Sequence, residues 1–307
     1  MNPRSFLLAM LLLVLALVAL FGGNYWLRLA STAALYVALA SSWNVIGGFT
    51  GYPSFATAAF FGMGAYTSAI AQVQGWSILA GWVLAGAIAS VGAFALGLAL
   101  LRLKGHYFAV GSLVVAEVLR EVMAAGGTFT GGGMGLNLPL LPLAPIAQGR
   151  LFLGVFTLLA LLSVVISWVI LHSRFGAGLR CIEQNEAAAS MLGVDTTLYK
   201  SAALAISALI AGLGGAVYAN WINYIDPGDV FNVLLSVKPI VMALLGGVGT
   251  VTGPIIGAIG LVGLEELVTR NFLDLTGVFF GLAVVVLVLF LPNGVNGLAL
   301  FKWRDKP

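Results

Sequence analysis

The sequence predicts an all-α protein, a polytopic integral membrane helical bundle of about ten transmembrane helices, and three observations carry that reading. Hydrophobic residues fill 61% of the 307 positions and charged residues only 8%. The mean hydropathy is +1.07. Apolar runs of about 20 residues, the length of helix that crosses the hydrocarbon, follow one another along the chain and leave no stretch for a soluble domain. Residues 1–307 therefore read as a single transmembrane domain.

The first run, residues 5–22, follows a positive start and has the look of a signal peptide. No A-x-A-like cleavage site follows it, so it is predicted to be the first membrane helix, with Arg4 inside. Further spans are predicted at 28–47, 54–73, 76–101, 105–124, 151–172, 201–222, 231–246, 253–269 and 276–291. With the N-terminus cytoplasmic, Arg4, Arg102, Lys104, Arg174, Arg180, Lys200, Lys302, Arg304 and Lys306 lie inside. Arg28, Arg120, Arg150, Lys238 and Arg270 lie outside or within the membrane, a bias of nine against five that favours this orientation. Both termini and the loop at about 175–200 are then cytoplasmic. The segment from Gly126 to Gln148, rich in glycine and proline, is an irregular external loop with room for a short helix.

Two blocks break the helical pattern and resemble each other: "NVIGGFTGYPSFATAAFFGMGAY" from Asn44 and "ALLGGVGTVTGPIIGAIGLVGLEE" from Ala243. Each sets a Gly-Gly pair, a Thr, a further Gly and a Pro before a helix with closely spaced small residues. They read either as two Gly-rich helix breaks beside a central pathway or as two tight hairpins at the cytoplasmic surface.

Charges within spans are few. Arg120 is spaced to pair with Glu117 and sit beside Glu121, a structural ion pair expected to face the bundle. Lys238 is expected to snorkel outward, Glu265 and Glu266 to be exposed near a span end, and His106 and His172 to sit at interfaces. No row of carboxylates or histidines marks a proton relay, which disfavours an ion-coupled secondary transporter. The motifs H-E-x-x-H, G-x-S-x-G and C-x-x-C do not occur, "GGVGTVTGP" lacks the lysine of a phosphate-binding loop, and no catalytic or metal-ligating set emerges. Cys181, the one cysteine, reads as a small buried or interfacial thiol.

The polar insert "RCIEQNEAAASMLGVDTTLYK" stands apart. "IEQNEAAASML" predicts one short helix stopped by Gly193, with Gln184, Ala187, Ala188 and Met191 on a shallow face flanked by Glu183 and Glu186. Such a surface suits docking to a partner.

"EQNEAAASMLGVD" resembles the E-A-A loop of ABC importer permeases, with Glu186-Ala187-Ala188 as its core and Gly193 following. The blocks "WNVIGGFTGYPSFATAAFFGMGAYTSA", "GGTFTGGGMGLN" and "ALLGGVGTVTGPIIGAIGLVGLEE" extend the resemblance from about residue 30 to about 295. They are similar to the branched-chain amino acid importer permeases, in particular the M-type subunits. The resemblance implies an importer in the bacterial plasma (inner) membrane, driven by ATP. Its other parts would be a second permease subunit, two cytoplasmic ATP-binding subunits that hold ATP and Mg, and an extracytoplasmic substrate-binding protein. The chain itself would need no cofactor, nucleic acid would not be a partner, and lipid would surround it. Arg180, Glu183, Gln184, Glu186, Ala187, Ala188, Met191 and Gly193 are then the residues expected to form a cytoplasmic coupling helix facing the ATPase. Asn44, Gly48, Tyr52, Phe55, Gly247 and Thr250 are the expected substrate pathway, where helix ends could meet a zwitterion. Such importers also carry urea, short amides or other amino acids. The turn here departs from the M-type pattern in having Pro53, Phe55 and Thr57, which leaves those alternatives open.

Overall fold

The structure, a computed structural model, describes residues 22–101, 103, 105–271 and 281. The predicted first span, Arg4, Arg102, Lys104, the tenth span save Gly281, and the basic tail lie outside the described residues. Ten predicted spans less the first and last leave eight, and each of the eight coincides with a helix. These are α1 (Asn24–Thr50), α2 (Thr57–Val73), α3 (Ile78–Leu100), α4 (His106–Ala125), α6 (Pro145–His172), α9 (Thr196–Ile222), α11 (Leu234–Gly246) and α12 (Gly253–Asn271). Short elements join them: α5 (Gly127–Thr130), β1 (Leu136–Asn137), α7 (Arg174–Gln184), α8 (Glu186–Met191), β2 (Tyr224–Ile225) and α10 (Pro227–Val230).

Among the described residues five stretches are long and apolar enough to cross a membrane: α1, α3, α6, α9 and Pro227–Gly246. The other predicted spans fall short for visible reasons. Helix α2 has only 17 residues, whereas α4 carries Glu117, Arg120 and Glu121, and α12 carries Glu265, Glu266 and Arg270.

Local chemistry sets several ends. Ser77, Ser173 and Asp195 cap α3, α7 and α9 with their side-chain oxygens. Helix α6 starts at Pro145 rather than near 151, because proline at a first helical position has no orphan N–H to satisfy. The external segment is irregular, as expected, with α5 and one 3-10 turn inside it.

Packing places α1 and α9 at the centre. In both, 72% of the most apolar stretch is buried, against 28% in α3 and 33% in α6. Helix α9 packs on α3, α2 and α1, while α6, α11 and α12 pack on α1. Small residues permit this closeness: a Cβ on Gly64 of α2 would lie 2.0 Å from the Gly212 carbonyl oxygen of α9, so the two backbones touch directly. Near the ends of the same helices Gln72 and Asn220 exchange side-chain amide hydrogen bonds of 2.8 and 3.1 Å, and the Trp82 indole donates to Asn220 at 2.8 Å. The two buried amides are thus satisfied by each other and by the indole.

The contacts sort the connections into two ends. At one, Tyr52 meets Glu186, Lys200 meets the Leu101 carbonyl, and Asn44 meets the 247–252 turn. At the other, β1 pairs antiparallel with β2 through Leu136 and Ile225, and Gln72 meets Asn220. Successive helices therefore run back and forth between the ends, as the predicted alternation requires.

Candidate functional site

The polar insert is two helices rather than the one expected. Helix α7 ends at Gln184, Asn185 turns extended (φ −161°, ψ 106°), and its side-chain oxygen accepts from the Ala188 N–H at 3.1 Å to start α8. Asparagine competes well for a cap and poorly for a helix interior, so the break falls there. Helix α8 then closes at Leu192, and Gly193 takes φ +84°, the left-handed geometry that its lack of Cβ allows.

Of the residues expected to form the docking surface, Arg180, Glu183, Gln184, Ala187, Ala188, Met191 and Gly193 are exposed. Met191 is 89% exposed and Leu192, which the sequence reading passed over, 77%, so the tip of α8 is an apolar knob in water. Arg180 donates to the Leu171 carbonyl at 3.3 Å. Cys181 is exposed on α7.

Glu186 behaves differently and corrects its expected place as a flank of that surface. Its carboxylate turns inward, accepting from the Tyr52 hydroxyl and from Lys200 Nζ at 2.6 Å. Lys200 is only 1% exposed, lies 3.4 Å from the Leu101 carbonyl oxygen, and sits 4.2 Å from the centre of the Tyr52 ring. Tyr52 in turn meets Phe108 edge-on at 5.6 Å. Burial alone would raise the Glu186 carboxyl, but hydrogen bonds from Lys200 and Tyr52 and the Lys200 charge outweigh it and hold it below the ordinary value. Burial, then the bond to Glu186, pushes the Tyr52 phenol well above its ordinary value. Nothing in the spacing of Glu186, Lys200 and Tyr52 announces this cluster; three separate elements bring it together.

The expected pathway residues divide. Asn44, fully buried, donates to the Thr250 carbonyl at 2.9 Å and accepts from the Gly249 N–H at 2.9 Å. Thr250 Oγ1 donates to the Gly247 carbonyl at 2.8 Å. A Cβ on Gly48 would stand 2.0 Å from Asn44 Oδ1 and 2.8 Å from Gly249 N. Asn44, Gly48, Gly247 and Thr250 thus join the two glycine-rich blocks to each other. Tyr52 belongs to the Glu186 cluster instead, and Phe55 packs on Trp43, Ile240 and Ala243. Both blocks are turns between consecutive helices: α1 continues through Gly47-Gly48 and stops at Gly51 (φ 72°), and α11 stops before Gly247 (φ 118°).

Other charges also differ from expectation. Lys238 does not snorkel outward but pairs with Glu265 at 2.6 Å, tying α11 to α12. Glu266 accepts from the Tyr25 hydroxyl. Arg120 does pair with Glu117 and, at 2.9 Å, with Glu121, yet all three face outward from α4. His106 and His172 stand at the ends of α4 and α6.

Residues 25–291 match the family described as branched-chain amino acid transport system / permease component. The chain belongs to that family. The permease is 27% identical over 324 residues to the high-affinity branched-chain amino acid transport system permease protein LivM of Salmonella typhimurium, an alignment covering 96% of this chain and 75% of the relative. It is 29% identical over 157 residues to LivH of Escherichia coli, covering 50% of this chain and 49% of that one. Over 91 residues it is 35% identical to the nucleoside ABC transporter permease protein NupC of Lactococcus lactis, 28% of each chain. No solved structure is significantly similar to the permease.

Proposed function

We propose that this permease is one of two membrane subunits of an ATP-driven importer of branched-chain or related hydrophobic amino acids. The observation that carries the substrate class is the alignment with LivM along 96% of the chain. Similarity to both LivM and LivH supports a heterodimer with a second permease. Two ATP-binding subunits hold ATP and Mg on the cytoplasmic side, and a substrate-binding protein delivers cargo on the other. About ten helices cross the bacterial inner membrane, with both termini and α7–α8 cytoplasmic.

The exposed ridge of Gln184, Ala187, Ala188, Met191 and Leu192 is the surface offered to the ATPase. A flexible thioether and small neighbours suit a socket that changes shape during a cycle. Asn44, Gly48, Gly247 and Thr250, where the two turns meet beside α1, form the inner end of the pathway.

In nanodiscs containing the assembled complex, leucine-loaded binding protein should stimulate ATP hydrolysis, and proteoliposomes should accumulate leucine only with ATP. Uptake driven by a proton or sodium gradient without ATP would sink the proposal. One observation favours a second substrate class, namely the likeness to a nucleoside permease together with the divergent Pro53-Phe55-Thr57 turn. Competition by urea, acetamide or a nucleoside, with none by leucine, isoleucine or valine, would move the cargo to that class.

A further inference from the structure

Helix α8 has six residues, too few to hold its shape or position without outside contacts. Asn185 caps it and Ala189 is its buried residue. Glu186 also turns inward, and it reaches two elements directly and a third through Lys200. Lys200 is in the first turns of α9, Tyr52 is in the turn between α1 and α2, and the Leu101 carbonyl ends α3.

We propose that Glu186, Lys200 and Tyr52 form a latch through which movement of α8 is passed to the α1–α2 turn and to α9, each acting as a positioning residue. This rests on the importer reading above. The physical reason is stiffness. An exposed ion pair such as Arg120–Glu117 can trade its partner for water and slip. Lys200, at 1% exposure, has no such exchange: withdrawing the carboxylate leaves a buried ammonium with only a carbonyl and a ring face. A pull on the α8 tip therefore moves Lys200 and Tyr52 with it. Tyr52 carries the displacement onward, because its ring rests on Phe108 of α4 and its turn follows directly on the end of α1, the helix that holds the 247–252 turn through Asn44.

Tyr52→Phe removes one hydroxyl and keeps the ring over Lys200 and against Phe108, so it tests transmission without emptying the site. In the nanodisc complex, the ATP consumed per leucine transported should rise about fivefold or more while the unfolding temperature stays at the wild-type value. In a Glu186→Gln background the same change should add nothing, because the hydroxyl acts through that carboxylate. The double variant Glu186→Gln/Lys200→Met, which leaves no buried charge, should likewise assemble and hydrolyse ATP with poor coupling.

Wild-type coupling in Tyr52→Phe, additive effects, or losses of uptake and hydrolysis in proportion to lost stability would each overturn the latch and leave a structural staple. A wild-type complex whose hydrolysis ignores loaded binding protein would overturn the importer reading and the latch together, so the two failures are distinct.

Discussion

At Glu186 a carboxylate whose side chain is 25% exposed meets an ammonium that is 1% exposed, and the two charges do not lose equally when the pair is broken. Removing the carboxylate strands Lys200 where water cannot reach it. Removing the ammonium leaves Glu186 with Tyr52 and part of its hydration. We expect Glu186→Ala to cost about 3 kcal/mol or more and Lys200→Met distinctly less, read as unfolding temperatures in detergent. Equal losses would mean that the burial of Lys200 does not set the energy. The pH dependence has a definite sign. Because the folded carboxyl titrates below its ordinary value of 4.5, its contribution is complete above that value and is lost as pH falls through the lowered one. The stability gap between wild type and Glu186→Gln should therefore be flat near neutrality and shrink in acid below pH 4.5. A gap that widened in acid would contradict the assigned direction. Lys200 was visible in the sequence only as a member of a polar cluster, because a contact between residues 52, 186 and 200 depends on three helix ends converging and leaves no periodic trace.

Among elements, α8 and the two glycine-rich turns show what a pattern in sequence can and cannot specify. The stop at Gly193 was legible, since glycine after a helical run is a common left-handed ending. The break at Asn185 was not, because its neighbours all favour helix and only the cap geometry decides. No atom stands within 4 Å of a Cβ built at Gly193, so its demand is conformational alone. Gly193→Asn should couple nearly as wild type, whereas Gly193→Val should cost about 1–2 kcal/mol locally and loosen α8, seen as faster amide exchange there. Equal exchange in both variants would remove the left-handed turn from the account. The turns answer to packing instead. Gly48→Ala would press on Gly249 and Asn44, so it should part the 247–252 turn from α1 and lower uptake at matched expression. A bulky residue at Gly247 tests something else, because its φ of 118° is strained for any side chain and assembly would suffer as well.

For the whole molecule, apolar runs were enough to place eight helices, because a helix satisfies its own backbone within the run and so declares its length. The order of packing was hidden: α9 draws close to α2 and α3 through Gly64, Gly212 and Gly215, small residues whose partners lie far away in sequence. The contacts divide the connections between two ends but carry no label for the cytoplasm, which rests on the basic residues. Cys181 supplies the test. It is the single cysteine of the chain and is exposed on α7, at the end shared by the two glycine-rich turns. A maleimide that cannot cross the membrane should leave the wild-type protein unlabelled in intact cells and label it in inside-out vesicles. Moving the thiol to the opposite end, with Cys181→Ser and Met134→Cys, should reverse the pattern, since Met134 is 87% exposed. Labelling of Cys181 in intact cells would invert the orientation and with it the side on which an ATPase could dock. If the inside reading holds, bound ATPase should slow the labelling in vesicles, because α7 leads directly into the α8 ridge proposed to meet it.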